Sequence, residues 1–408
     1  MDFSELGNLW NASASVFGET FSNWISNIAI NTVVVMIMAI FMVVGAIDRI
    51  CGNKKGYGTE WENGINAMGG LAMAMAGVVA VAPLLAIVLK PIIGPLYGLV
   101  GADPAMFATT LLAMDMGGYP LALQLASTEA VGQYAGIILG GMMGPTIVFT
   151  IPVALGIINP LDRPFLGAGT LVGMVTIPIG CVVGGLVMNT TPYKIDIGTI
   201  LVNVIPVIII AGLIAVGLWF APGKMISGFN AFGNGVTIFI TAVTAIAIFE
   251  YNTGIQFPLF NTMVDYDGGV PLEDGLLVCG QIAITLAGAY PMVKFVSDTF
   301  GKGLEKIGTA LGMNAAGATG MVANLANNIA MFNILSDMNP QGKLLNCAFA
   351  VSAAFVFGDH LGFTGANSPE MIFPMIASKL VAGITALILG KWMASALLKK
   401  IPEESMNQ

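Results

Sequence analysis

Apolar residues follow one another in runs far longer than a surface helix or a half-buried strand would allow. A helix needs about 20 apolar residues to cross the hydrocarbon of a bilayer. Runs of that size lie near 25–47, 65–89, 105–126, 131–158, 165–188, 197–220, 229–250, 275–297, 314–335, 343–361 and 371–398. The pattern predicts an all-α polytopic membrane protein with about eleven transmembrane helices. The segment 91–102, "PIIGPLYGLVGA", is too short to cross and carries Pro91 and Pro95, so a re-entrant or interfacial piece is expected there. Residues 1–23 hold acids but no Lys or Arg, the reverse of a secretory signal. They read as an extramembrane N-terminal segment with an interfacial helix around Trp10 and Phe17. Residues 24–398 then form a single transmembrane domain, and 399–408 a cytoplasmic tail.

Composition reinforces this picture. Hydrophobic residues make up 56% of the chain and charged ones 9%, and the mean hydropathy is +0.85. Soluble domains carry roughly 25% charged residues, so this chain has too few polar groups to cover a surface in water. The net charge of −8 changes little, because most charges fall between the apolar runs.

Lys and Arg in short loops set the orientation. Arg49, Lys54 and Lys55 follow the first run, and Lys399 and Lys400 follow the last, which predicts an outer N-terminus and a cytoplasmic C-terminus. That arrangement needs an odd number of spans, as eleven is. On this count, however, the acidic loop 250–274 falls inside and Lys302 and Lys306 fall outside, against the rule.

Sliding residues 94–149 onto 304–359 without gaps aligns polar, helix-breaking clusters although identities are few. Two repeat halves, about 65–160 and 275–370, are therefore expected, with discontinuous helices meeting near the midplane. Their relative orientation stays open at this level.

Ionisable side chains inside the bilayer are costly, at least about 2.5–3.5 kcal/mol each, and tend to mark pathways or sites. In "MDMGGYP", Asp115 precedes Gly117, Gly118 and Pro120, residues that break helices. An acid beside a helix break suits a cation site, and its structural alternative is a cap for a neighbouring half-helix. In "ANLANNIAMF", Asn324, Asn327 and Asn328 fall at i, i+3 and i+4, one face of an intact helix. They suit recognition of a hydroxyl, or equally well interhelical hydrogen bonding. In "FGDHLGF", Asp359 stands beside His360, the single histidine of the chain. Gly358, Gly362 and Gly365 argue for a partly unwound segment that turns both inward; a satisfied structural histidine is the alternative. In "GAYPMVK", Tyr290 offers a ring and a hydroxyl to the same site, and Tyr119 offers a ring face for a cation.

Other chemistry is disfavoured. Cys51, Cys181, Cys279 and Cys347 are scattered, without a C-x-x-C pair, so neither a metal site nor a cofactor is expected. "GLVGAD" lacks the Lys and Ser or Thr of a phosphate-binding loop, and no nucleophile elbow or HExxH stretch occurs. An enzyme and a nucleic-acid partner are not expected. Two acids without a sequence-adjacent base point to a mobile cation, whether a small hydroxylated amine, Na⁺ or H⁺.

The stretches "LLAMDMGGYPLA", "GGMMGPTIVFTIPVALGII", "TIPIGC", "MVANLANNIAMF", "NCAFAVSAAFVFGDHLGF" and "MIFPMIASKL" together closely resemble the bacterial ethanolamine-utilisation permease family, over about residues 30–395. The resemblance implies passage of ethanolamine across the bacterial cytoplasmic membrane by facilitated diffusion, above all when ethanolamine is scarce or the medium acidic. The 1–23 segment and the 250–274 loop depart from it. On this reading Asp115 and Asp359 replace water around the ammonium group, and Asn327 or Asn328 meets the hydroxyl. A coupled symporter and a membrane subunit of an ion-pumping complex are the competing readings. The partners expected are ethanolamine and the lipid bilayer, with a homodimer as the common assembly of such chains.

Overall fold

A computed structural model describes residues 4–406, so residues 1–3 of the N-terminal segment and 407–408 of the tail lie outside the described residues. Among the described residues the chain is helical, without strands, and eight helices are long and apolar enough to cross a membrane. The exact number eleven does not carry over. Two of the eleven runs, 105–126 and 314–335, are each split into a pair of short helices, and a third, 343–361, is interrupted.

Helix α1 (Ser4–Ser26) leaves Trp10 and Phe17 exposed. Helix α2 (Ile30–Ile50) is followed by α3 (Tyr57–Gly98), which contains a π-helical stretch at Ala72–Ala76. The segment 91–102, expected as a re-entrant or interfacial piece, continues α3 up to Gly98. At about 1.5 Å per residue, 42 residues exceed the hydrocarbon thickness, so the Pro91–Pro95 turn does not need to cross it.

Next comes a hairpin of α4 (Ala105–Leu111) and α5 (Gly118–Leu125), whose halves pack on each other. Its ends are tied together, since the Ser127 amide and hydroxyl both donate to Asp103 Oδ2, at 3.0 and 2.5 Å. The chain thus enters and leaves this hairpin on one side. Helix α6 (Glu129–Ile157) is broken at Gly140–Met142, and α7 (Arg163–Met188) is continuous. Helices α8 (Ile197–Phe220) and α9 (Pro222–Thr253) then lead through the acidic loop to α10 (Pro271–Ala310).

The order that followed α2 then recurs. After the long α10 comes a second hairpin, α11 (Ala315–Ala326) and α12 (Asn328–Asn333). Its ends are also tied: Asn314 Nδ2 donates to the Asp337 carbonyl at 2.8 Å, and the Asn314 amide to Asn339 Oδ1 at 3.2 Å. A broken helix follows, α13 (Pro340–Ala353) and α14 (Asp359–Asn367), and then the continuous α15 (Ile372–Leu398).

Helices α7 and α15 pack along each other at the centre. Gly180 and Gly184 of α7 permit this approach, because a methyl on either would come within 2.8 Å of α15 atoms. Small residues at helix contacts are how membrane helices approach closely without a hydrophobic drive between them. Lys343 on α13 and Asp162, just before α7, form a fully buried ion pair at 2.7 Å.

Candidate functional site

Each hairpin tip hydrogen-bonds to the gap in the broken helix that follows it. The Met114 amide donates to the Gly140 carbonyl at 3.0 Å. In the second set, the Phe355 and Phe357 amides donate to the Asn324 and Leu325 carbonyls at 3.1 and 2.9 Å. Broken helices leave main-chain groups unpaired, and within a membrane such groups must find partners in the protein or in a water-filled cavity. Here much of the demand is met by tip and gap joining.

Local sequence explains the breaks. Gly117 at the first tip has φ +85°, and a methyl there would meet Val78 Cγ1 at 1.8 Å. Gly358 at the second gap lies against the second tip, where a methyl would sit 2.1 Å from the Ala326 carbonyl oxygen. Three residues before Gly358, Phe355 takes φ +64°, a left-handed conformation unusual for a bulky residue. Strain of this kind persists only where its surroundings enforce it.

A cavity of about 330 Å³ opens where the first tip meets the second gap. Asp115 and Met116 of the first tip line it, with Phe355, Asp359 and His360 of the second gap, Tyr290 of α10, and small residues of α3 beside its π-helical stretch. Both aspartates are half-buried and within electrostatic reach of each other. The Tyr290 hydroxyl donates to Asp359 Oδ1. Asp359 also begins α14, where the helix dipole favours negative charge. His360 is buried against Phe355, ring centroids 5.2 Å apart, and its Nδ1 has no hydrogen-bond partner.

Four of the residues predicted from sequence thus meet at one cavity: Asp115, Asp359, His360 and Tyr290. The other four lie outside its lining. The three asparagines do not share one helix face, because the chain leaves helical geometry at Asn327, with φ −156° and ψ 127°. Asn327 caps α12 by accepting from the Ile329 amide, Asn324 donates to Asn346, and Asn328 donates to Thr150 of α6 at 2.8 Å. Tyr119 accepts from Gln133 and packs edge-on against Phe363.

Sequence reasoning missed Lys379. It is 1% exposed on α15, donates to the Gly141 carbonyl in the first gap, and lies within electrostatic reach of Asp115. The signal was present, since a Lys in the middle of the last apolar run calls for a buried partner. No group of three or more potential His, Cys, Asp or Glu metal ligands occurs among the described residues.

The sequence itself matches the family model for "Ethanolamine utilisation protein, EutH" over residues 30–393. The chain belongs to the EutH family. Among relatives, the "Probable ethanolamine permease EutH" of Listeria monocytogenes is 51% identical, over 91% of this chain and 96% of that protein. The protein of the same name in Escherichia coli is 48% identical, over 88% and 94%. A Bacillus subtilis relative, "Uncharacterized protein YxeR", is 44% identical, over 90% and 96%. These EutH relatives are named as permeases, transporters rather than enzymes, and the apolar helices make this chain an integral membrane protein. No solved structure matches the chain.

Proposed function

We propose that this protein carries protonated ethanolamine across the bacterial cytoplasmic membrane by facilitated diffusion, with the cavity between the first hairpin tip and the second helix gap as its binding site. The observation that supports this most is the pairing of two carboxylates in one intramembrane cavity with a tyrosine and a histidine. Ethanolamine, like a Lys side chain, is a primary amine and mostly protonated at neutral pH. Its uncharged fraction, the form that crosses lipid unaided, falls tenfold per pH unit of acidification, so a protein path matters most in acid. Asp359 and Asp115 take the place of water around the ammonium group, and Tyr290 holds Asp359 in position. The hydroxyl meets His360 at the cavity wall, while Asn324, Asn327, Asn328 and Tyr119 hold the tips and gaps in place.

The helix order supports an inverted repeat. Five long helices, α6 to α10, separate the two hairpins. An odd number of crossings places the bases of the hairpins on opposite sides of the membrane. Counting α13 with α14 as one interrupted crossing brings the total to nine among the described residues. Nine crossings put the acidic loop before α10 outside and Lys306 inside, beside Arg49, Lys54, Lys55 and Lys399. The conflict with the positive-inside rule that eleven spans created then disappears. We expect a homodimer, which light scattering on the solubilised chain reads directly.

Uptake of labelled ethanolamine into proteoliposomes at pH 5.5, with and without a proton ionophore, tests the mechanism. Facilitated diffusion predicts equilibration that the ionophore does not change. Ionophore-sensitive accumulation would establish coupling instead, and absence of uptake would remove the assignment.

A further inference from the structure

Two carboxylates in one cavity are one too many for a ligand of single positive charge. The surplus has an internal answer in the fold. Lys379 reaches from α15 to the Gly141 carbonyl, one residue beyond the Gly140 carbonyl that holds the first hairpin tip through Met114. A methyl added at Gly141 would lie 3.5 Å from Lys379 Cδ and 3.7 Å from His360 Nδ1, so these three residues meet at one point behind the cavity wall. Asp115 follows Met114 directly. Lys379 is thereby anchored at the junction of the first tip and its gap, which also carries Asp115. Among the described residues it is the only Lys or Arg placed within electrostatic reach of Asp115.

We propose that Lys379 is the cavity's built-in counter-ion: it neutralises Asp115, leaves Asp359 as the open carboxylate, and so sets the site to accept one positive charge. The proposal rests on the reading of this cavity as the amine site. It makes Lys379 a specificity-determining residue that acts through Asp115 without touching ligand. Two unpaired carboxylates would favour a dication, whereas one carboxylate beside a Lys–Asp pair favours a monocation. Buried charges demand such balance, since an uncompensated one is heavily penalised.

The test compares competition by ethylamine and by doubly protonated 1,3-diaminopropane against ethanolamine uptake in proteoliposomes. The variants are Lys379→Gln, which keeps a donor for Gly141, Lys379→Arg, which keeps the charge, and Asp115→Asn combined with Lys379→Gln. In the wild type and in Lys379→Arg the diamine should be the weaker competitor. In Lys379→Gln the ratio of diamine to monoamine inhibition should rise by about tenfold, as expected for one more unpaired charge at close range. The double variant should return the ratio to the wild-type value. A merely structural lysine would lower protein yield without moving that ratio. An unchanged ratio in Lys379→Gln, or no return in the double variant, overturns the proposal. Should the wild type take up no ethanolamine, the transport reading fails separately. The same ratio, read from thermal stabilisation of the purified full chain by the two amines, still decides the role of Lys379.

Discussion

The Tyr290 hydroxyl donates to Asp359 Oδ1, joining the middle of α10 to the first residue of α14 across the second helix gap. The bond holds the carboxylate at the wall of the cavity that it lines. Tyr290→Phe removes the donor with little change in volume. Hydrogen bonds to charged groups are worth about 1.5–3 kcal/mol, so the KM for ethanolamine uptake should rise about tenfold while the protein stays folded. Unchanged uptake kinetics in proteoliposomes would take Tyr290 out of the site.

Gly358 exists for close approach. A methyl there would sit 2.1 Å from the Ala326 carbonyl oxygen, in backbone that cannot yield like a flexible side chain. Gly358→Ala should destabilise the protein by about 1–3 kcal/mol or more through overpacking, and pull the second tip from its gap. Gly94→Ala, where a methyl meets nothing within 4 Å, is the matched control and should be neutral. Thermal unfolding of the two purified variants makes the comparison.

The Asp162–Lys343 pair is buried, with Ser336 donating to the second Asp162 oxygen at 2.7 Å. Lys343→Met should cost about 3–5 kcal/mol, because it strands a buried carboxylate. Asp162→Leu combined with Lys343→Met removes both charges and should recover much of that loss. If the single and double variants unfold alike in denaturant titrations, the pair carries no such electrostatic role.

Nine crossings make a prediction about sidedness. In a Cys51→Ser background, which removes the one exposed native cysteine, Asp265→Cys should react with a membrane-impermeant maleimide from outside intact cells. Lys306→Cys should react only after the cells are opened. The reverse pattern would overturn the combination of nine crossings with an outer N-terminus.

Much of the candidate site's lining was legible in the sequence. Asp115 and Asp359 announce themselves because an acid inside a long apolar run has few tolerable explanations, and the glycines beside them mark breaks. The shared face expected for the asparagines did not form, for a related reason. Their i, i+3, i+4 spacing has meaning only in an intact helix, and Asn327 is itself the residue at which the helix ends. Lys379 escaped notice because sequence distance hides its partner, the Gly141 carbonyl in the gap beyond the first hairpin tip.

Length and apolarity of the runs alone determined that the chain is helical and lives in a membrane, because unpaired backbone in lipid leaves few other solutions. Residue type alone marked the acids. Hydropathy, however, does not distinguish a run that crosses from one that turns back halfway, since both bury the same side chains. Only the tertiary structure, through Ser127 on Asp103 and Asn314 on Asp337, closed two runs into hairpins. Long-range packing also brought Lys379, Asp115 and Asp359 together from three separate elements, an outcome that local spacing does not encode.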